Sequence, residues 1–220
     1  EQDFSGALYE RRPVIRARKS KSTVAYYAGA VAILFVLFSA VHTAISLIDD
    51  RDAGIIDRVL AGPSGIQVLV GARFLFLIAQ SFLQILIIFL VAWLGYGVDL
   101  PGNFAGFTAT TLAVSTCAAG LALALVAACR TRRQAQNVSN VAILILSAVG
   151  GSMEPRFFMP PLMQDIGWLT PNTWGLEAYA SVFWRGEGLG SLVLPVALLV
   201  STGIAGLIVA RVLARRWETI

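Results

Sequence analysis

Charge is scarce in this chain of 220 residues: 14% are Asp, Glu, Lys or Arg, against roughly a quarter in an ordinary soluble domain. Histidine is scarcer still. His42 stands alone, so neither a His/Cys/carboxylate metal cluster nor a Ser-His-Asp arrangement is suggested. The two cysteines, Cys117 and Cys129, lie in or at the end of one apolar run, which reads as buried thiols and not as a disulfide framework. No G-x-x-x-x-G-K-[ST] loop occurs, so ATP is not bound through a P-loop. The glycines of Gly186–Gly190 follow no strand and make a loop connector, not a dinucleotide fingerprint.

What is present is oil. Hydrophobic residues make up 57% of the chain and mean hydropathy is +0.74, the profile of an integral membrane protein. A membrane span needs about 20 mostly apolar residues. Five stretches qualify as helical candidates, at about 23–48, 66–97, 104–129, 137–152 and 189–213. The fourth is short unless the polar Gln136–Asn140 belongs to it. Barrel strands would instead show short alternating segments. The expected fold is an all-α helical bundle.

Basic residues orient it. Arg51, Arg58, Arg130, Arg132, Arg133, Arg211, Arg215 and Arg216 fall on one side, and only Arg156 and Arg185 on the other. The first side is then cytoplasmic, and the net charge of +4 reflects this asymmetry and not nucleic-acid binding. The tail of residues 1–22, with Arg11, Arg12, Arg16, Arg18, Lys19 and Lys21, falls on the opposite side. Either it ends an external domain, since long translocated regions largely escape the charge rule, or the orientation is reversed. The first reading is preferred, with the membrane domain at 23–220.

The middle three spans contain neither Asp nor Glu, although proton-coupled carriers usually bind their proton on carboxylates at membrane depth. If this protein moves something, the energy enters from outside the chain. Arg73 lies near a span end, where snorkelling to the interface is the default. Gln80 and Gln84 share a helix face and suit interhelical hydrogen bonds, with pore lining as the second reading.

Between the first two spans lies DDRDAGIIDRVLAGP, Asp49 to Pro63. Read as a helix of about 49–62, it stacks Ile55 on Val59 and Ile56 on Leu60, with Asp57 and Arg58 turned away. Asp49, Asp50 and Asp52 would fall in its first turn, where acids complement the helix dipole, and Gly62-Pro63 would stop it. Such an element lies on lipid or fills a groove on a soluble partner. Acids are a poor match for an anionic inner leaflet, which favours the partner. Before the last span, residues 153–188 are too polar and proline-rich to cross. Their Phe157, Phe158, Trp168, Trp174, Tyr179, Phe183 and Trp184 suit the headgroup level. Short helices dipping into the outer leaflet fit, as does an ordinary external loop.

At these two stretches the chain resembles the permease subunits of type-two ABC exporters. Arg51, Asp52, Gly54, Asp57, Arg58, Leu60 and Pro63 match the family's Arg-acid-x-Gly-x-x-acid-Arg-Leu-Leu-x-x-Pro pattern, with Val59 where Leu is usual. Gly150, Gly151, Pro155, Met159, Pro160, Pro171, Trp174 and Ala178 match its segment before the last span. The resemblance runs from about Thr23 to the C-terminus and leaves the tail uncovered. Family members usually have six spans, so five of an expected six are visible, and the missing one, often followed by an external domain, would precede this stretch.

The resemblance implies a cytoplasmic coupling helix, carried by Asp52, Gly54, Ile55, Ile56, Asp57, Arg58, Val59, Leu60 and Pro63, seated in a cleft of a separate ATPase subunit. It implies that ATP and Mg are handled by that partner and that this chain has no catalytic residues of its own. It further implies short re-entrant helices forming an external gate at Pro155, Met159, Pro160, Pro171 and Trp174, and a second permease protomer, identical or related. Substrate would pass between protomers along the first and fourth spans visible here, where Ser39, His42, Thr43, Ser46, Asn140 and Ser147 are candidates for the path. Small polar residues also serve as helix-packing contacts. The alternatives are a carrier or channel not driven by ATP, and a membrane anchor subunit. Residue usage rich in Ala, Val and Arg points to a bacterial cell membrane.

Overall fold

The computed structural model describes residues 2–55 and 65–215, and of residues 2–22 and Phe157 only the backbone. Its long helices are α1 (Gln2–Ala44), α3 (Ile66–Tyr96), α4 (Phe104–Ala128), α5 (Arg132–Gly150) and α8 (Val193–Ala214). Shorter ones are α2 (Ser46–Asp52), α6 (Pro161–Gly167) and α7 (Pro171–Ala180). α1 runs without a break across the boundary expected at residue 22. After a single turn residue, Ile45, α2 continues it, so that Thr23–Asp52 forms one apolar stretch of 30 residues.

Among the described residues, four helices are long and apolar enough to cross a membrane: Thr23–Asp52, Ile66–Tyr96, Phe104–Ala128 and Leu189–Ala214. The fold is thus an all-helical membrane bundle. α5, the fifth expected span, is not among the four. Its 19 residues begin with the polar RRQAQNVSN, which dilutes the apolar half that follows.

Local sequence sets the ends. Gly97, in the left-handed region at φ 69°, closes α3 by placing its own amide on the Trp93 carbonyl and that of Val98 on Ala92. α5 opens on Thr131, whose hydroxyl accepts the Gln134 amide at 3.2 Å while the Gln134 side chain accepts from the Arg130 amide at 2.9 Å. This is a reciprocal cap close to the Thr-x-x-Gln pattern.

α4 is the central helix. Of its most apolar window 67% is buried, against 28% for α3 and α8, whose outward faces carry Leu75, Leu94 and Val193. α4 and α8 approach most closely at glycine. A Cβ on Gly120 would lie 2.0 Å from the Gly203 carbonyl oxygen, and one on Gly203 would lie 2.4 Å from that of Thr116. In a bilayer, where lipid is as apolar as leucine, such backbone contact replaces the hydrophobic drive between helices.

At one end of this core, Phe89 of α3 packs on Phe107 of α4 (5.1 Å), Tyr179 of α7 (4.9 Å) and Phe183 (5.1 Å). The Tyr179 hydroxyl meets Thr111 at 3.0 Å. Tyr179, expected at headgroup level, is therefore a core residue that pins α7 to α3 and α4. Phe158, Trp168 and Trp184 do remain exposed.

Candidate functional site

Three groups of residues, at the two ends and on one flank of the bundle, carry the features singled out in the sequence.

At the basic end the charged segment differs from expectation. Asp49, Asp50 and Asp52 do not open a helix of their own; they end α2, and the turn at Ala53–Gly54, with Gly54 at φ 68°, follows them. Acids at a helix C-terminus oppose the dipole, and arginines from elsewhere offset this. Arg73 of α3 bonds Asp50 at 2.5 Å, Arg132 of α5 bonds Asp49 at 2.6 Å, and Arg51 bonds Asp52 at 2.7 Å and the Arg130 carbonyl at 2.8 Å. Arg73 is thus not snorkelling alone but tied to α2. Where the chain leaves the first span it is anchored to α3 and to the α4–α5 connection. Beyond Gly54, Ile55 is helical and exposed. Ile56, Asp57, Arg58, Val59, Leu60 and Pro63 lie outside the described residues.

At the opposite end Pro161 and Pro171 open α6 and α7 in their first turns, where a missing N–H costs nothing. Pro155 and Met159 are buried while Pro160 is exposed. The half-buried Trp174 donates its indole N–H to the Trp168 carbonyl at 2.8 Å and packs tilted against the Trp168 ring, with centroids 4.7 Å apart. Arg156 lies 4.2 Å over the Trp168 ring and donates to the Gln164 carbonyl at 2.7 Å. The unit is fastened to α5 through Asn172, which donates to Ser147 (3.1 Å) and Ser152 (3.3 Å), and through the Thr173 hydroxyl on the Gly150 carbonyl. Tyr26 of α1 donates to the Gly151 carbonyl at 3.0 Å. Beyond α7, Arg185 holds Glu177 at 2.7 Å, Glu187 at 2.6 Å and the Ser181 hydroxyl. Desolvation opposes the Glu187 charge, but hydrogen bonds from Ser181 and Arg185, together with the Arg185 charge, outweigh it and hold this carboxyl below its ordinary range.

On the flank, Phe35, Phe38, Ser39, His42 and Thr43 of α1, Gln84 of α3 and Asn140 of α5 line an open groove of about 590 Å³. Four of the six residues expected on the substrate path meet here. The other two do not. Ser46 donates to the Thr43 carbonyl at 2.7 Å, and Ser147 is fully buried beneath Asn172. Gln80, one turn from Gln84, donates to both Ser39 (2.9 Å) and Thr43 (3.0 Å) and so joins α3 to α1. Gln84, for which pore lining was the second reading, lies on the groove; Phe35 and Phe38 were absent from the expected path, and only their place near Ser39 could have suggested them.

The model of the ABC-2 type transporter family matches residues 4–184. Among curated proteins, the chain is 24% identical over 144 residues to the probable multidrug ABC transporter permease YbhR of Escherichia coli K12, and equally to that of Escherichia coli O157:H7. The match covers 64% of this chain and 38% of each relative's length.

Proposed function

This chain belongs to the ABC-2 type transporter family, and on that premise we propose that it supplies the membrane-spanning part of an ATP-driven exporter. The chain spans 38% of the length of the relatives it matches.

The observation that carries the reading is the anchoring of the α2 end. A segment that receives force from a partner must pass it on, and Asp49, Asp50 and Arg51 connect its root to α3, to α5 and to the α4–α5 connection by ion pairs and hydrogen bonds. The segment from Asp52 to Pro63 makes the coupling contact, seated in a groove of a separate ATPase that binds ATP and Mg. Two such permeases, identical or related, assemble with two ATPases in a bacterial inner membrane.

α5 serves as the fifth span: at 1.5 Å per residue its 19 residues reach about 28 Å, close to the hydrocarbon thickness. α6 and α7, with Pro155, Met159, Pro160, Pro171 and Trp174, form an external gate. The groove at Ser39, His42, Thr43 and Asn140 is the substrate path on this protomer. The size of the groove falls within the few hundred to 1,000 Å³ of small-molecule sites.

The test is purification of the full-length protein from its native membrane, followed by transport in sealed vesicles. An ATPase subunit copurifies, and transport needs ATP and survives ionophores that collapse ion gradients. Transport that follows an imposed ion gradient without ATP would instead identify a secondary carrier, and a complex that binds the ATPase but transports nothing would identify an anchor.

A further inference from the structure

Some hydroxyls in the helices of this bundle donate to the carbonyl one turn back. Thr108 does so to Phe104 (2.8 Å), Thr116 to Leu112 (2.7 Å) and Thr202 to Leu198 (2.7 Å). Ser39 and Thr43 behave differently. Each accepts a hydrogen from the Gln80 amide, at 2.9 and 3.0 Å, and among the described residues neither donates to a carbonyl. A hydroxyl has one hydrogen to give and two lone pairs. Gln80 takes an oxygen lone pair of each, and the O–H of each, on residues that line the groove, meets no acceptor among the described residues. Gln84, Asn140 and the His42 ring add N–H donors, with acceptors of their own, along the same wall.

The groove carries no compensating charge: Phe35, Phe38, Ser39, His42, Thr43, Gln84 and Asn140 include no Asp, Glu, Lys or Arg. A ligand with a fixed charge would meet no counter-ion among these residues, which is costly wherever protein or lipid shields it from water. Phe35, 55% exposed, and Phe38 offer apolar surface beside the donors. Resting on the reading of this groove as the substrate path, we propose that it selects uncharged, partly aromatic molecules that present hydrogen-bond acceptors, such as ketones, esters or ethers. Ser39 and Thr43 make the contact, and Gln80 is a positioning residue that turns their hydrogens outward.

Benzophenone tests this directly, because it is an uncharged aromatic ketone that labels its site on illumination. The full-length protein in membrane vesicles is photolabelled, the labelled peptides are mapped, and labelling is competed with fluorenone, which has a carbonyl acceptor, and with fluorene, which has none. Labelling falls on the Phe35–Thr43 stretch or around Asn140. Fluorenone outcompetes fluorene, and the ratio of their half-competing concentrations shifts by about fivefold to tenfold between wild type and Ser39→Ala/Thr43→Val, as one net hydrogen bond requires. Gln80→Leu shifts the same ratio in the same direction although it leaves the groove lining untouched, which a purely structural role would not do. A trimethylammonium derivative of benzophenone fails to compete.

If labelling maps to the groove but fluorene competes as well as fluorenone in wild type, or the cation competes as well as the ketone, the ligand class is wrong while the path reading stands. If no groove residue is labelled, both fall. The wild-type comparison of fluorenone with fluorene decides the matter even where a variant folds poorly.

Discussion

At the level of single residues, Asp49 and Asp50 in the first connection owe their effect to partners that are distant in sequence. The Asp50–Arg73 pair is about three-quarters shielded, with side chains 23% and 26% exposed, whereas Asp49 and Arg132 are 41% and 60% exposed. Exposed pairs contribute about 0–1 kcal/mol, and shielding raises this. A double-mutant cycle on Asp50→Ala and Arg73→Ala is expected to give a coupling of about 1 kcal/mol in thermal unfolding, and the same cycle on Asp49 and Arg132 a value near zero. Equal couplings in the two cycles would mean that burial does not set the strength of these pairs. Arg73 also shows how far the sequence could be read. Its isolation among apolar residues was visible, but its carboxylate partner sits 23 positions earlier, and only the packing of α2 against α3 selects Asp50 among four acids of one short stretch. The complementary sign was the available clue.

At the level of elements, the long helices were legible because length and hydropathy are properties of contiguous sequence. Their contacts were not. The α4–α8 seam depends on Gly120, Gly203 and Gly206 facing one another across 80 residues, and nothing in the period of either helix fixes that register. Gly120→Val is expected to destabilise the protein by about 3 kcal/mol or to prevent folding, because the obstacle is the Gly203 backbone and cannot rotate aside. Gly95→Ala, where an added Cβ meets nothing within 4 Å on α3, should stabilise by up to about 1 kcal/mol. Thermal unfolding in one detergent separates the two, and a tolerated Gly120→Val would show that the seam is looser than described.

The turn after α7 responds to pH. The Glu187 carboxyl is held below its ordinary range in the folded protein. Its stabilising contribution is therefore complete above the unfolded carboxylate value near 4.3 and is lost as pH falls through the lower folded value. Hydrogen exchange in residues 181–192, corrected for intrinsic rates, should rise over that interval, and Glu187→Gln should flatten the profile. A profile unchanged by the substitution would remove the carboxylate from the account. The placement of Tyr179 marks the limit of composition here: an aromatic-rich, proline-broken stretch looks like a headgroup belt, yet α7 turns this ring into the core, because Phe89, Phe107 and Thr111 leave a place for it.

For the whole molecule, the proposed division of labour is force taken in at one end and a passage along the flank. Family membership, the charged root of the α2 end and the uncharged groove agree with that division of labour. Ser39, His42, Thr43 and Asn140 could be picked from sequence as polar residues on two spans. That they share a groove, while Ser147 and Ser46 do not, follows from helix rotation, which the weak amphipathicity of membrane spans leaves undetermined. The claim on which the rest depends is that the segment after Gly54 transmits the work of an ATPase. The most direct measurement is ATP-driven transport alongside ATP hydrolysis in reconstituted complexes carrying Ile56→Pro, a change within that segment and outside the groove. The account predicts that the complex assembles and hydrolyses ATP while transport falls to background. Transport at the wild-type rate would contradict it.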